Sequence, residues 1–354
     1  MSILLAACAN PARALSSTAS RPSATPPPST TTILPFASTT PFNWRLPTAS
    51  PEPPPFGRAF LGVLRSALPG DYIAYSRPSA ALSSADIPWT DIFLVHANGS
   101  EVGLLATLPR DDWAFSPDAN TLAYSTGDRI RLLDLRLGTE SPLPGTHWNI
   151  GSWSPDGTYL LTSEYGEVNM VSVPSGEAFP ITRCIEWAPS IQADCFLPTW
   201  SPDGAFISFS AEFAHSGPRD PLAGVYLLDT QCLFDLDACW PNITGPLPFT
   251  AGYAWAPDGQ TIAFPSNVWA PGEGIGLFSI ASYRTSGYVP DTSANSEDIG
   301  GSIAWSPDGS RIATTWGRII DLLNGSGVAA FPDTPHARMQ GIRIPDVPRR
   351  TPGA

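Results

Sequence analysis

The sequence predicts an all-β chain, a six-bladed β-propeller of four-stranded antiparallel blades behind a disordered N-terminal tail. Three observations predict it. One phrase recurs five times, as Phe115-Ser116-Pro117-Asp118-Ala119, Trp153-Ser154-Pro155-Asp156-Gly157, Trp200-Ser201-Pro202-Asp203-Gly204, Trp255-Ala256-Pro257-Asp258-Gly259 and Trp305-Ser306-Pro307-Asp308-Gly309. Short apolar strands follow the copies, among them Thr121-Leu122-Ala123-Tyr124, Thr158-Tyr159-Leu160-Leu161 and Gln260-Thr261-Ile262-Ala263-Phe264. Forty prolines and thirty glycines punctuate the chain without a sustained helical period, as short strands between turns require.

The successive prolines lie 38, 47, 55 and 50 residues apart, which is the length of a propeller blade with variable loops. Each phrase reads as a hairpin between two strands. Proline presets φ for the first turn position, aspartate bonds its own backbone onward, and glycine supplies the positive φ that closes the turn. The Phe or Trp before the turn ends the preceding strand and is large enough to wedge between neighbouring blades. With the tail set aside, about 280 residues remain, or about 46 for each of six blades.

These phrases resemble the TolB-like, or PD40, family of propeller repeats, whose signature is Trp-Ser-Pro-Asp-Gly followed by an apolar strand. A degenerate sixth copy is read at Pro69-Gly70-Asp71, ahead of Tyr72-Ile73-Ala74-Tyr75, and Asp91 to Ser100 resembles that family's third strand and next turn. The resemblance covers residues 57–333 and leaves 334–354 as a C-terminal tail. It implies the fold more than a function, because propellers serve many unrelated ones.

Ahead of the propeller, Leu5-Ala6-Ala7-Cys8 matches the lipobox of bacterial lipoproteins and makes Cys8 the expected lipidation site. The apolar run before it is shorter than the roughly 7 to 15 residues of a signal sequence, so residues 1–8 read as a truncated signal, or else as a chance match. Residues 9–56 are rich in Pro, Ser and Thr, with too little apolar surface to offset the entropy of ordering, and are expected to form a linker. The expected location is extracytoplasmic, lipid-anchored in a bacterial envelope or secreted.

The other four cysteines form two close pairs, Cys184 with Cys195 and Cys232 with Cys239. In such a setting they predict two loop-closing disulfides. Each is worth roughly 2 to 3 kcal/mol in the loop-entropy model. Zinc is disfavoured, since no Cys-x-x-Cys spacing or nearby histidine pair is present, and no metal or cofactor is expected. The 32 acidic residues outnumber the 19 basic ones, all arginine, and the resulting net charge of −13 repels nucleic acid and anionic headgroups. Membrane attachment therefore rests on the lipid at Cys8, and the chain is expected to be a monomer.

Catalytic signatures are missing from the sequence. Its four histidines, His96, His147, His215 and His336, lie in no nucleophile or metal spacing, and no Gly-x-Ser-x-Gly elbow or phosphate-cradling loop occurs. Some exported peptidases join a similar propeller to an α/β-hydrolase domain, but about twenty residues follow the last blade here, which predicts no such domain. The repeated aspartates read as turn residues rather than a ring of metal ligands.

The long insertions give the best functional clue. Arg77 to Thr90, Ala211 to Gly224 and Pro265 to Gly274 read as second-to-third-strand loops, and Arg183 to Pro198 as a blade-to-blade connection, so all four decorate one face. They carry Trp89, Trp187 and Trp269 with Glu212, His215, Arg219, Asp220 and Glu273, plus Glu186. Aromatic faces beside carboxylates and an arginine suit a protein, peptide or glycan partner. Long loops packed on one another are the plain alternative. Cys232 to Cys239 should lie on the opposite face. The resulting expectation is a non-catalytic envelope binding or interaction scaffold. The alternative is a propeller enzyme of lyase, cyclase or lactonase type, in which His, Arg and carboxylates from several innermost strands would meet at the channel mouth.

Overall fold

In a computed structural model of the chain, the described residues run from Pro69 to Ile344, apart from 81–88, 127–128, 146–148, 183, 185–192, 214–222, 234–242, 248, 250–251, 266–273, 291–301, 316, 324–325 and 331–337. The 1–8 and 9–56 segments, with Cys8, lie outside them. The described residues form six antiparallel sheets of four strands, a six-bladed propeller.

Blade one contains β1 (Gly70–Pro78), β2 (Thr90–His96) and β3 (Glu101–Leu108). Blade two contains β4 (Trp113–Phe115), β5 (Thr121–Ser125), β6 (Ile130–Asp134) and β7 (Thr139–Pro142). Blade three contains β8 (Ile150–Trp153), β9 (Tyr159–Glu164), β10 (Glu167–Ser172) and β11 (Ala178–Pro180). Blade four contains β12 (Ala193–Trp200), β13 (Phe206–Phe213), β14 (Gly224–Asp229) and β15 (Thr244–Leu247), with a 3-10 turn at Thr230–Cys232 after β14. Blade five contains β16 (Ala254–Trp255), β17 (Thr261–Pro265), β18 (Gly274–Ser279) and β19 (Arg284–Pro290). Blade six contains β20 (Ile303–Trp305), β21 (Arg311–Thr314), β22 (Arg318–Asp321) and β23 (Gly327–Ala329).

The innermost strand of blade one comes from the far end of the chain. β24 (Met339–Ile344) pairs antiparallel with β1, from Tyr75 opposite Met339 to Gly70 opposite Ile344. The sequence reading took residues 334–354 for a tail and Pro69-Gly70-Asp71 for a degenerate turn; the structure corrects both. No turn joins β24 to β1, and the bidentate contact of Arg343 Nε and Nη2 with the Asp71 carboxylate, at 2.7 and 3.0 Å, stands where the covalent hairpin stands elsewhere.

Alternate residues of each strand point to opposite sides, so every sheet has two apolar faces, one for each neighbour. Six hydrophobic clusters result, one at each blade interface. Leu94, Phe115 and Leu133 lie in the cluster between blades one and two, and Ile73, Phe93 and Ala313 in the one between blades six and one. The ring is therefore closed by packing all the way round.

The five repeated phrases join first strands to second strands, as predicted. In each, the backbone N–H of the second residue donates to the carbonyl five residues on, as Ser154 does to Tyr159 at 2.8 Å. The serine hydroxyl donates to the aspartate, at 2.6 Å for Ser116 with Asp118 and 2.7 Å for Ser201 with Asp203, and accepts the backbone N–H of the next strand's first residues. Blade five has Ala256 in place of the serine, and Asp258 itself accepts the Thr261 N–H at 3.1 Å. The last position is left-handed throughout, with φ of 73° at Gly157, 72° at Gly309 and 54° at Ala119, where a side chain is carried at a steric cost.

The wedge residues do what their size predicts. Trp153 donates its indole N–H to Ala114 O of the preceding blade at 3.1 Å, Trp305 to Ala254 O at 3.1 Å, and Trp255 to Ser208 Oγ at 2.8 Å. The repeated turns, together with the third-to-fourth-strand turns, form one face of the propeller. The second-to-third-strand loops and the blade-to-blade connections form the other. β1 begins and β24 ends on the turn face.

Candidate functional site

The loop face carries two built features, a clasped connection and an arginine that joins three blades. The connection from blade three to blade four is held by the Cys184–Cys195 disulfide, whose half-cystines are both buried, with Cα atoms 6.0 Å apart. Glu167, at the start of β10, secures the near leg: its carboxylate accepts the Thr182 hydroxyl at 2.7 Å and the Cys184 N–H at 3.0 Å. On the far leg, Cys195 N donates to Gly166 O at 2.9 Å. The clasp thus ties the connection to the β9–β10 hairpin.

That hairpin is a two-residue turn, Tyr165-Gly166, with φ of 50° and 80°. Positive φ at both positions defines the primed turn that fits strand twist and favours Asn or Gly. Tyr165 occupies the first position instead, and it is 79% exposed. The first strand of blade four also departs from regularity. It begins at Ala193, several residues before the Pro198 boundary read from sequence, and its register shifts between Phe196 and Thr199, with Leu197 at a φ of 50° and half exposed. The Tyr253 hydroxyl of blade five donates to Leu197 O at 3.3 Å.

Beside the starts of the innermost strands, Arg338, the residue before β24, ties three blades. Its Nη1 donates to Asp112 Oδ1 at 3.0 Å, and its Nη2 to Ile150 O at 2.8 Å and Gly151 O at 2.7 Å. Asp112 also accepts the Ile150 N–H at 2.8 Å, and Ser76 and Arg338 exchange hydrogen bonds within blade one. Burial raises the Asp112 carboxyl above its ordinary range, against the pull of the Arg338 guanidinium and the Ile150 amide. The sign set out above for an enzyme is His, Arg and carboxylates from several innermost strands; here one Arg and one carboxylate meet just ahead of β24 and β4, and both are bonded to each other and to the Ile150 backbone.

Of the residues read from the sequence, Trp89 lies at the foot of the blade-one loop, half-buried, with Ser79 N donating to its carbonyl at 2.8 Å. Glu212 is exposed near the end of β13, opposite Asp194. Trp187, Trp269, Glu186, His215, Arg219, Asp220 and Glu273 lie outside the described residues. So does Cys239, while Cys232 is the last residue of the 3-10 turn after β14, which the Leu233 N–H closes by donating to Thr230 O. Among the described residues no group of three or more metal-ligating side chains gathers.

Sequence reasoning missed Tyr165, Glu167, Asp112 and Arg338. Tyr165-Gly166 carried a signal, a glycine between two short strand runs. Arg338 carried none, because its partners are about 190 to 260 residues away in sequence.

No protein-family model matches the sequence, and no curated protein matches it at a significant level. Solved structures do match. TolB from Acinetobacter baumannii superposes with a TM-score of 0.54 at 18% identity, over 76% of this chain and 66% of that one, so the chain spans just under two thirds of that protein. A chain of a nidogen/laminin complex gives a TM-score of 0.51 at 8% identity, over 78% of this chain and 100% of that one. An oligogalacturonate lyase in complex with manganese gives 0.44 at 16% identity, over 73% and 78%, too distant to add to the fold. The fold is that of a TolB-like propeller.

Proposed function

We propose that the chain is a non-catalytic, extracytoplasmic binding scaffold that engages a protein, peptide or glycan through its loop face. Tyr165 carries this reading. A turn suited to Asn or Gly instead holds a tyrosine 79% exposed at positive φ, beside a connection clasped by a buried disulfide. Left-handed non-glycine residues cost free energy and cluster where function keeps them. A rigidly presented tyrosine is a common anchor of partner hot spots. The disulfide supports an oxidising compartment. Against catalysis stands the occupation of Arg338 and Asp112 with each other and with the Ile150 backbone.

Peptide and glycan arrays probed with the full chain and with Tyr165→Ala and Trp187→Ala test the reading. A ligand bound by the wild type and held about tenfold or more weakly by Tyr165→Ala, with the fold unchanged by circular dichroism, supports it. Unaltered binding by both variants, or conversion of an array glycan to product, overturns it.

A further inference from the structure

Five innermost strands are tethered at both ends, at one of them by a repeated turn. β24 follows β23 through residues 330–338, and no repeated turn joins it to β1, the strand it pairs with. What holds it is a set of side-chain-specific contacts spread along its length. Arg338 reaches Asp112, Ile150 and Gly151 in two other blades. The Gln340 amide makes a two-point contact with one residue of blade two, accepting the Phe115 N–H at 2.9 Å and donating to the Phe115 carbonyl at 3.1 Å. Gly341 lies so close to the Trp305 carbonyl that any Cβ there would collide with it. Ile342 is buried between blades one and two, and Arg343 grips Asp71. The groove thus reads an Arg-x-Gln-Gly-Ile-Arg pattern on an extended strand.

None of these contacts requires that strand and groove belong to one molecule. The 330–338 connection spans at most about 30 Å when extended, enough to reach a neighbour whose loop face is close. Exchange of an identical element preserves every contact, so its cost lies in the connection and in association alone. We propose that the β24 groove is a strand-reading site that a second copy of this chain can fill, giving a dimer with exchanged closing strands.

A charge-exchange pair tests this in the full chain. Asp71→Arg and Arg343→Asp each place like charges at the end of the strand when folded alone. In a strand-exchanged dimer of one copy of each, the wild-type ion pair forms in one groove and its reverse in the other. The double variant Asp71→Arg/Arg343→Asp restores an ion pair within one molecule and is the control for folding. After refolding from denaturant as a concentrated mixture, light scattering with size-exclusion chromatography should show a species of twice the monomer mass. Native mass spectrometry should find it to be the mixed dimer, about tenfold enriched over either like pair. A mixture that yields only monomers, or like and mixed dimers in statistical proportion, overturns the proposal. So does a mixture that stays unfolded under conditions in which the double variant folds.

Discussion

Blade one and the other five blades solve the same problem by different means. In blades two to six a local turn hands the chain from the first strand to the second, and its proline, aspartate and glycine bring their own geometry. In blade one the first strand arrives from the other end of the chain, and Arg338, Gln340, Gly341 and Arg343 replace the turn with contacts to blades one, two, three and six. The difference teaches that a hairpin needs few distinct residues to specify it, whereas a strand docked across the ring needs a chemical match at nearly every position.

The sharpest way to break the comparison is to remove a wedge from a turn-joined blade. Trp153→Ala deletes a buried indole and its bond to Ala114 O, and should cost about 3 to 5 kcal/mol in chemical denaturation. Gly341→Ala tests the docked strand instead. Its Cβ meets the Trp305 carbonyl, and a cost of about 1 to 3 kcal/mol is expected, whereas a neutral result would show that β24 is held loosely. A smaller gain should come from making blade five like its neighbours. Ala256→Ser restores the hydroxyl that elsewhere accepts the following strand's N–H, and should add about 0.5 to 1.5 kcal/mol.

Acid should separate the two designs as well. The Asp156 carboxyl is held below its ordinary value by the hydroxyls of Ser154 and Thr158 and by the Thr158 amide. At Asp118 and Asp308 burial pushes upward, and hydrogen bonds from Ser116 and Asn120, and from Ser306 and Ser310, outweigh it. A lowered folded value contributes stability that is present above the unfolded carboxylate pKa of about 3.9 and is lost as pH falls through the folded one. Asp112, raised by burial, has the opposite sign: its contribution grows as pH falls through its folded value. Melting temperature should therefore fall in acid through the turns, and Asp156→Asn should shallow that fall by lowering the neutral value while leaving the acid value less changed.

The turns and wedges were legible in sequence because everything that forms them lies within about ten residues, and the five copies confirmed one another. The Cys184–Cys195 clasp was legible from its short separation. β24 was not, since Met339 to Ile344 carries no turn signal and its meaning depends on partners such as Asp71, Phe115 and Trp305. At the loop face, most residues of the insertions singled out in the sequence lie outside the described ones, and among the described residues there an exposed ring belongs to Tyr165, in a two-residue turn. Length marks where a chain is free to vary, while exposure at a strained position depends on backbone geometry that a residue string does not display.

Because Gly70 and Ile344 sit opposite each other in one ladder, β1 is entered and β24 is left on the same side of the disc as the aspartate turns. A reporter attached at Gly70 or at Ile344 would therefore sit across the disc from the tyrosine-bearing side, and the two attachments should give the same binding curve.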